Sequence, residues 1–269
     1  MSGLRPTTAQ ASTLPNLNSP APATPIPVSY FARPDGLKLA YSYRPGDGPT
    51  ILFLPGYMSD MDGGKALALD AWAARKGRAM LRLDYSGNGR SEGAFTDGTL
   101  TVWRDDVLLL LDALIEGPVV LVGSSMGGWL MLLVALARTD RVNAMVGIAA
   151  APDFTQWGFT EEQKAQIRSE GRIVEPTDYG DEPYVTTSSF WESGQANLLL
   201  TSEIPIDCPV RLLHGQRDPD VPWQTALELS AVLHSSDVQV ALIKDGDHRL
   251  SRDQDIALLI QTVASLPEL

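Results

Sequence analysis

The sequence predicts an α/β sandwich: a mostly parallel, doubly wound sheet of eight strands with helices on both faces. Three observations predict it. Short runs that are apolar throughout, such as Val119-Val120-Leu121-Val122, suit strands covered on both faces. Helix-length segments alternate with those runs, as parallel connections require. At 269 residues the chain is long enough to bury roughly three quarters of its unfolded surface around one core.

The first 27 residues are rich in Pro, Ser, Thr and Ala, and Arg5 is their only charged side chain. They bury too little apolar surface to offset their ordering entropy and are predicted to be a flexible tail. The segment lacks the apolar stretch of a secretory signal and the arginine content of a mitochondrial presequence. The expected location is therefore cytoplasmic and soluble, with mitochondrial targeting as the alternative.

From Val28 the pattern becomes β-rich, starting with a hairpin around Arg33-Pro34-Asp35-Gly36. Further strands are predicted at 50–54, 79–83, 118–122, 142–148, 209–213 and 238–243. Helices are predicted at 65–76, 102–115, 129–137, 223–233 and 255–266. Residues 28–151 and 206–269 then form the core.

Residues 152–205, after the sixth strand, break the rhythm and hold seven of the nineteen aromatic residues. That density suggests a cap over a pocket, with Phe154, Trp157, Phe159, Phe190 and Trp191 as candidate walls for an apolar substrate.

A net charge of −12 opposes nucleic acid and anionic membranes as partners. No apolar run approaches the ~20 residues that span a bilayer. Cys208 is the only cysteine, which excludes an internal disulfide and a cysteine zinc site, and it is expected to be a packed thiol.

The chemistry concentrates at Gly123-Ser124-Ser125-Met126-Gly127-Gly128, between a buried strand and the helical run that begins at Trp129. Gly-x-Ser-x-Gly in that context predicts a sharp turn that exposes one serine hydroxyl, with glycines where side chains would collide. Ser125 is the candidate nucleophile, and Ser124 is expected to face the core. The amide of Met126, at the helix start, is placed to receive an oxyanion.

Three histidines are available as base. His234 falls near the end of a helix and is expected to be solvated. His214 ends a strand and is expected to brace a loop. His248 follows the last strand in Asp245-Gly246-Asp247-His248, at the carboxyl edge where catalytic groups of parallel sheets gather, and is the candidate base. The carboxylate that orients it is expected in Gly215-Gln216-Arg217-Asp218-Pro219-Asp220. Asp218 stands closer to the strand end, while Asp220 approaches the next helix. A second oxyanion amide is expected at Tyr57, after the close turn at Gly56.

Two other features are set aside. Gly87-Asn88-Gly89 lacks the third glycine of a dinucleotide loop and reads as a turn. Asp105 and Asp106 sit beside Arg104 and are expected on a solvated helix face. No cofactor or metal is called for.

With these residues in place, the chain after the tail resembles the α/β-hydrolase superfamily. More closely it is similar to the branch of mitochondrial palmitoyl-protein thioesterases, also associated with acyl-glucuronide hydrolysis. Leu54-Pro55-Gly56-Tyr57, Asp84-Tyr85-Ser86-Gly87, the segment 123–131, Arg211-Leu212-Leu213-His214-Gly215, Val221-Pro222-Trp223 and Asp247-His248-Arg249 carry the likeness. The resemblance implies Ser125, Asp218 and His248 as nucleophile, acid and base, and an acyl ester or thioester as substrate. A broad carboxylesterase, a small peptidase and a non-catalytic binding module of the same fold stay open as alternatives.

Overall fold

A computed structural model describes residues 26–176 and 183–266, so the predicted tail lies almost wholly outside the described residues. The sheet strands are β1 (Ser29–Ala32), β2 (Lys38–Arg44), β3 (Asp47–Leu54), β4 (Arg78–Leu83), β5 (Val119–Ser124), β6 (Val142–Ile148), β9 (Val210–Gly215) and β10 (Val238–Ile243). They form one sheet in the order β1-β2-β4-β3-β5-β6-β9-β10. The first two strands pair antiparallel, and every pairing from β4 to β10 is parallel. The hairpin between β1 and β2 turns at 33–37, with the amide of Arg33 donating to the Leu37 carbonyl.

Helices α1 (Gly64–Lys76), α2 (Leu100–Leu114), α3 (Met126–Ala137), α7 (Gln224–Val232) and α8 (Asp253–Ala264) cover the two faces. Strand alternation divides the core between them. Leu52, Leu54, Val119 and Leu121 pack with α2, α3 and α7. Ile51, Phe53, Val120 and Val122 pack with α1 and α8. Most of these strand residues are fully enclosed, which explains why their runs carry no polar interruption.

Between β6 and β9 the chain leaves the sheet to build a cap. It contains α4 (Phe154–Trp157), α5 (Glu161–Glu170), β7 (Arg172–Glu175), β8 (Tyr184–Thr187) and α6 (Ser188–Gln195). Strands β7 and β8 pair antiparallel with each other in a separate two-stranded sheet. Helix α5 begins with a capping box: Thr160 accepts from the Gln163 amide and the Gln163 side chain accepts from the Thr160 amide.

One reading of the helix faces is corrected. Asp105 is indeed exposed beside Arg104, but the Asp106 side chain is almost completely buried. It accepts from Arg33 Nη1 at 2.7 Å and from the Ser86 amide at 2.8 Å. Adjacent helix residues point about 100° apart, so one aspartate meets water while the next ties α2 to the hairpin. The glycines at 87 and 89 do form a turn, with φ of 74° and 51°. A Cβ on Gly89 would fall 2.3 Å from the Asp84 carboxylate, which accepts from the amides of Met61 and Arg90.

Candidate active site

Ser125 is the single residue between β5 and α3, with φ 55° and ψ −121°. A non-glycine residue in that region is strained and persists only when its surroundings fix it. Here the Ser125 amide donates to the Ile148 carbonyl at 2.9 Å, and its carbonyl accepts from Ala151 at 3.1 Å. The flanking glycines make the turn possible. A Cβ on Gly123 would lie 2.3 Å from the Gly127 oxygen, one on Gly127 2.1 Å from the Leu54 oxygen, and one on Gly128 2.5 Å from the Ala150 Cβ. Ser124 is buried, as expected.

Two other loops meet this turn. His248, in the loop after β10, places Nε2 3.0 Å from Ser125 Oγ. Its Nδ1 lies 2.8 Å from Asp218 Oδ2, on the loop after β9. A carboxylate only accepts, so Nδ1 carries the hydrogen and Nε2 is left to accept from the serine. Burial acts to raise the Asp218 pKa. Hydrogen bonds from His214 and His248, the charge of His248 and the Val221 amide together outweigh it and hold the carboxyl well below its ordinary value.

The histidine loop is anchored from α1. Lys65 Nζ donates to the Arg249 carbonyl, and burial followed by the nearby Arg249 charge lowers the Lys65 pKa to about 8. The Leu250 amide donates to Asp247 at 2.9 Å, and Leu250 itself turns at φ 42°. Asp218, Asp220 and His248 bring ligand-type atoms within 4.8 Å of one another. The Asp218 oxygens already accept three N–H groups, those of His248, Asp220 and Val221, and His214 Nε2 lies 3.2 Å from Oδ2.

The loop 54–57 approaches from the other side, where a Cβ on Gly56 would lie 3.3 Å from the Ser125 Cβ. Met126 is the first residue of α3, so its amide has no carbonyl one turn back within the helix. Tyr57 follows Gly56 directly, and its ring is the centre of an aromatic cluster. Phe190, Phe95, Tyr184, Trp103 and Phe154 lie with centroids 5.0 to 6.1 Å away.

The five aromatics proposed for a pocket have distinct settings. Phe190 is 1% exposed and belongs to the core, and Phe154 packs against that core. Phe159 stands beside Phe154 at 6.4 Å. Trp157 and Trp191 donate their indole N–H groups to the carbonyls of Pro152 and Thr155, and the Arg168 guanidinium lies over the Trp191 ring.

The remaining single residues divide cleanly. His234 is exposed and pairs with Asp207, which raises its pKa. His214 is wholly buried. Cys208 is half-buried, and burial pushes its thiol up to about 11.

Sequence reading missed Asp153, which sits at φ 59° before α4 and accepts the amides of Leu199 and Leu200, each at 2.8 Å. No local pattern signals it, because its partners lie more than forty residues on. Among the described residues no helix is long and apolar enough to cross a membrane.

Comparison with known proteins agrees with the fold. A family model described as alpha/beta hydrolase fold matches residues 49–172. The human protein named palmitoyl-protein thioesterase ABHD10, mitochondrial, is 43% identical over 243 residues, covering 89% of this chain and 79% of its own. The solved structure of mouse alpha/beta hydrolase domain-containing protein 10 superposes with a TM-score of 0.83 at 42% identity, over 88% of this chain and 97% of that one. A putative hydrolase from Agrobacterium vitis S4 gives 0.84 at 39% identity, over 90% and 99%. With the sheet order, the cap after β6 and this level of identity, the chain belongs to the α/β-hydrolase superfamily, close to its ABHD10 branch.

Proposed function

We propose that the chain is a serine hydrolase that cleaves carboxylic ester or thioester bonds of acyl substrates through an acyl-enzyme. The observation that carries this reading is the continuous line from Ser125 Oγ to His248 Nε2 at 3.0 Å and from His248 Nδ1 to Asp218 at 2.8 Å.

In the proposed reaction Ser125 Oγ attacks the acyl carbonyl while its proton passes to His248 Nε2. The new C–O bond drives the carbonyl electrons onto oxygen, and the amides of Tyr57 and Met126 hold that oxyanion. Collapse expels the alcohol or thiol, which takes the proton from His248. Water, deprotonated by the same nitrogen, then attacks the acyl-enzyme and restores Ser125. Asp218 keeps His248 in the required tautomer throughout.

We assign residues 28–151 and 206–269 to the core and 152–205 to the cap. Similarity to ABHD10 supports a palmitoyl-protein thioesterase or acyl-glucuronide esterase as the finer reading. The aromatics of the cap and of loop 54–57 support an apolar acyl group. Action in the cytoplasm is retained, with the mitochondrion of the ABHD10 relatives as the alternative that imaging of the tagged full chain decides.

A fluorophosphonate probe should label the parent and leave Ser125→Ala unlabelled, with turnover lowered by roughly 10⁶-fold. Equal labelling of both overturns the reading. A series of acyl thioesters and esters of increasing chain length on the same preparation separates the finer alternatives, a long-chain thioesterase favouring palmitoyl thioesters.

A further inference from the structure

The third residue of the line, Asp218, is shared between two histidines. His214, at the end of β9, is 0% exposed. Its Nε2 lies 3.2 Å from Asp218 Oδ2, the same oxygen that faces His248 Nδ1, and 3.1 Å from the Val221 carbonyl. Both neighbours of Nε2 are acceptors, so Nε2 carries a hydrogen. His214 Nδ1 is buried without a hydrogen-bond partner among the described residues. A buried ring nitrogen left without a partner costs free energy, so the N–H on Nε2 is the polar contact that this placement secures.

The other carboxylate oxygen is equally constrained. Asp218 Oδ1 accepts from the amides of Asp220 and Val221, each at 2.9 Å. The Asp218 side chain is fully enclosed, so no solvent takes the place of a missing donor. Two backbone amides fix one oxygen, while the imidazoles of His248 and His214 face the other. His248 is the group that must be held, which leaves His214 to fix the plane of the carboxylate.

We propose that His214 is a positioning residue that acts through Asp218, setting the carboxylate plane so that His248 Nε2 faces Ser125 Oγ. The inference rests on the serine-hydrolase reading above. It extends that reading to a residue that never reaches the substrate. Loss of the Nε2 donor lets the carboxylate tilt about Oδ1, which its two amides still hold, and the shift of Oδ2 carries His248 away from the serine. Substrate binding, which involves none of these atoms, is untouched.

The test compares His214→Leu, which removes the donor at similar volume, with His214→Gln, whose amide nitrogen can occupy the Nε2 position, and His214→Asn, whose shorter side chain cannot. Each is assayed on a p-nitrophenyl acyl ester beside the parent and Ser125→Ala, with a melting curve for each protein. The expected result is a kcat about 10- to 100-fold lower for Leu and Asn at unchanged KM, the size of effect that small misplacements produce. His214→Gln recovers most of the lost rate.

A folded His214→Leu or Asn with parental kcat overturns the proposal, as does a loss in Gln equal to that in Asn. If Leu does not fold, the Gln and Asn pair decides alone. Parent and Ser125→Ala turning over equally would instead reject the serine-hydrolase reading itself.

Discussion

The hydroxyl of Tyr57 donates to the carbonyl of Val185 at 2.6 Å, joining the loop beside Ser125 to strand β8 of the cap. The backbone of the same residue is the proposed second oxyanion donor. Burial raises the Tyr57 pKa, so the phenol stays protonated as a donor. One residue therefore connects the placement of the cap to the loop that faces the nucleophile.

Tyr57→Phe should cost about 1 kcal/mol, the net worth of one hydrogen bond. In a chain of this size that lowers Tm by about 2 to 4 °C. Hydrogen exchange should accelerate at the β8 amides and leave β5 unchanged. Unaltered exchange at β8 would show that the bond does not hold the cap.

Asp218→Asn should lower kcat by about 10⁴-fold with little change in KM, because the amide no longer selects the His248 tautomer. Steady-state kinetics on an activated ester checks this.

Stability carries a separate pH signature at the same residue. The folded pKa of Asp218 is below its ordinary 3.8, so its contribution is complete above that value and is lost as pH falls through the folded one. Urea midpoints of the parent and Asp218→Asn should therefore differ at pH 7, and the gap should begin to narrow only as pH falls below 3.8 toward the folded value. A gap that stays constant would mean that the ionised carboxylate does not supply the difference.

Gly127→Ala should destabilise by about 1 to 3 kcal/mol or more, the cost of overpacking. Its Cβ would meet the Leu54 oxygen at 2.1 Å and the Pro55 oxygen at 2.6 Å. Both are backbone atoms of the loop leading to Tyr57, so relief displaces that loop. Slower fluorophosphonate labelling should accompany the shift in the urea midpoint.

Phe190→Ala should cost about 3 to 5 kcal/mol, as for a large buried ring. The ring packs on Tyr57, Trp103 and Phe154 and is nearly inaccessible. Denaturation against wild type measures it. A variant that retained stability while losing long-chain activity would mark Phe190 as a wall of the acyl site instead.

The sequence by itself determined the layered α/β architecture, the turn at Ser125 and the order in which serine, aspartate and histidine occur. Each is written in local terms: continuous apolar runs record strands covered on both faces, and glycines record where backbones cross too closely for a Cβ. Strands β6 and β10 fall at their predicted bounds for that reason.

Tertiary structure decided what depends on residues far apart in the chain. Asp106 is exposed or buried according to where Arg33 and Ser86 arrive. Asp153 finds its two amides only after the cap has folded back. Whether Phe190 lines a pocket or fills the core depends on where Tyr57 and Trp103 place their rings. His214 could be read as a loop brace, yet that it shares an oxygen of Asp218 with His248 became visible only when two loops closed on one carboxylate. Periodicity records which face of an element is covered, whereas the identity of the covering group is a long-range property that no local pattern carries.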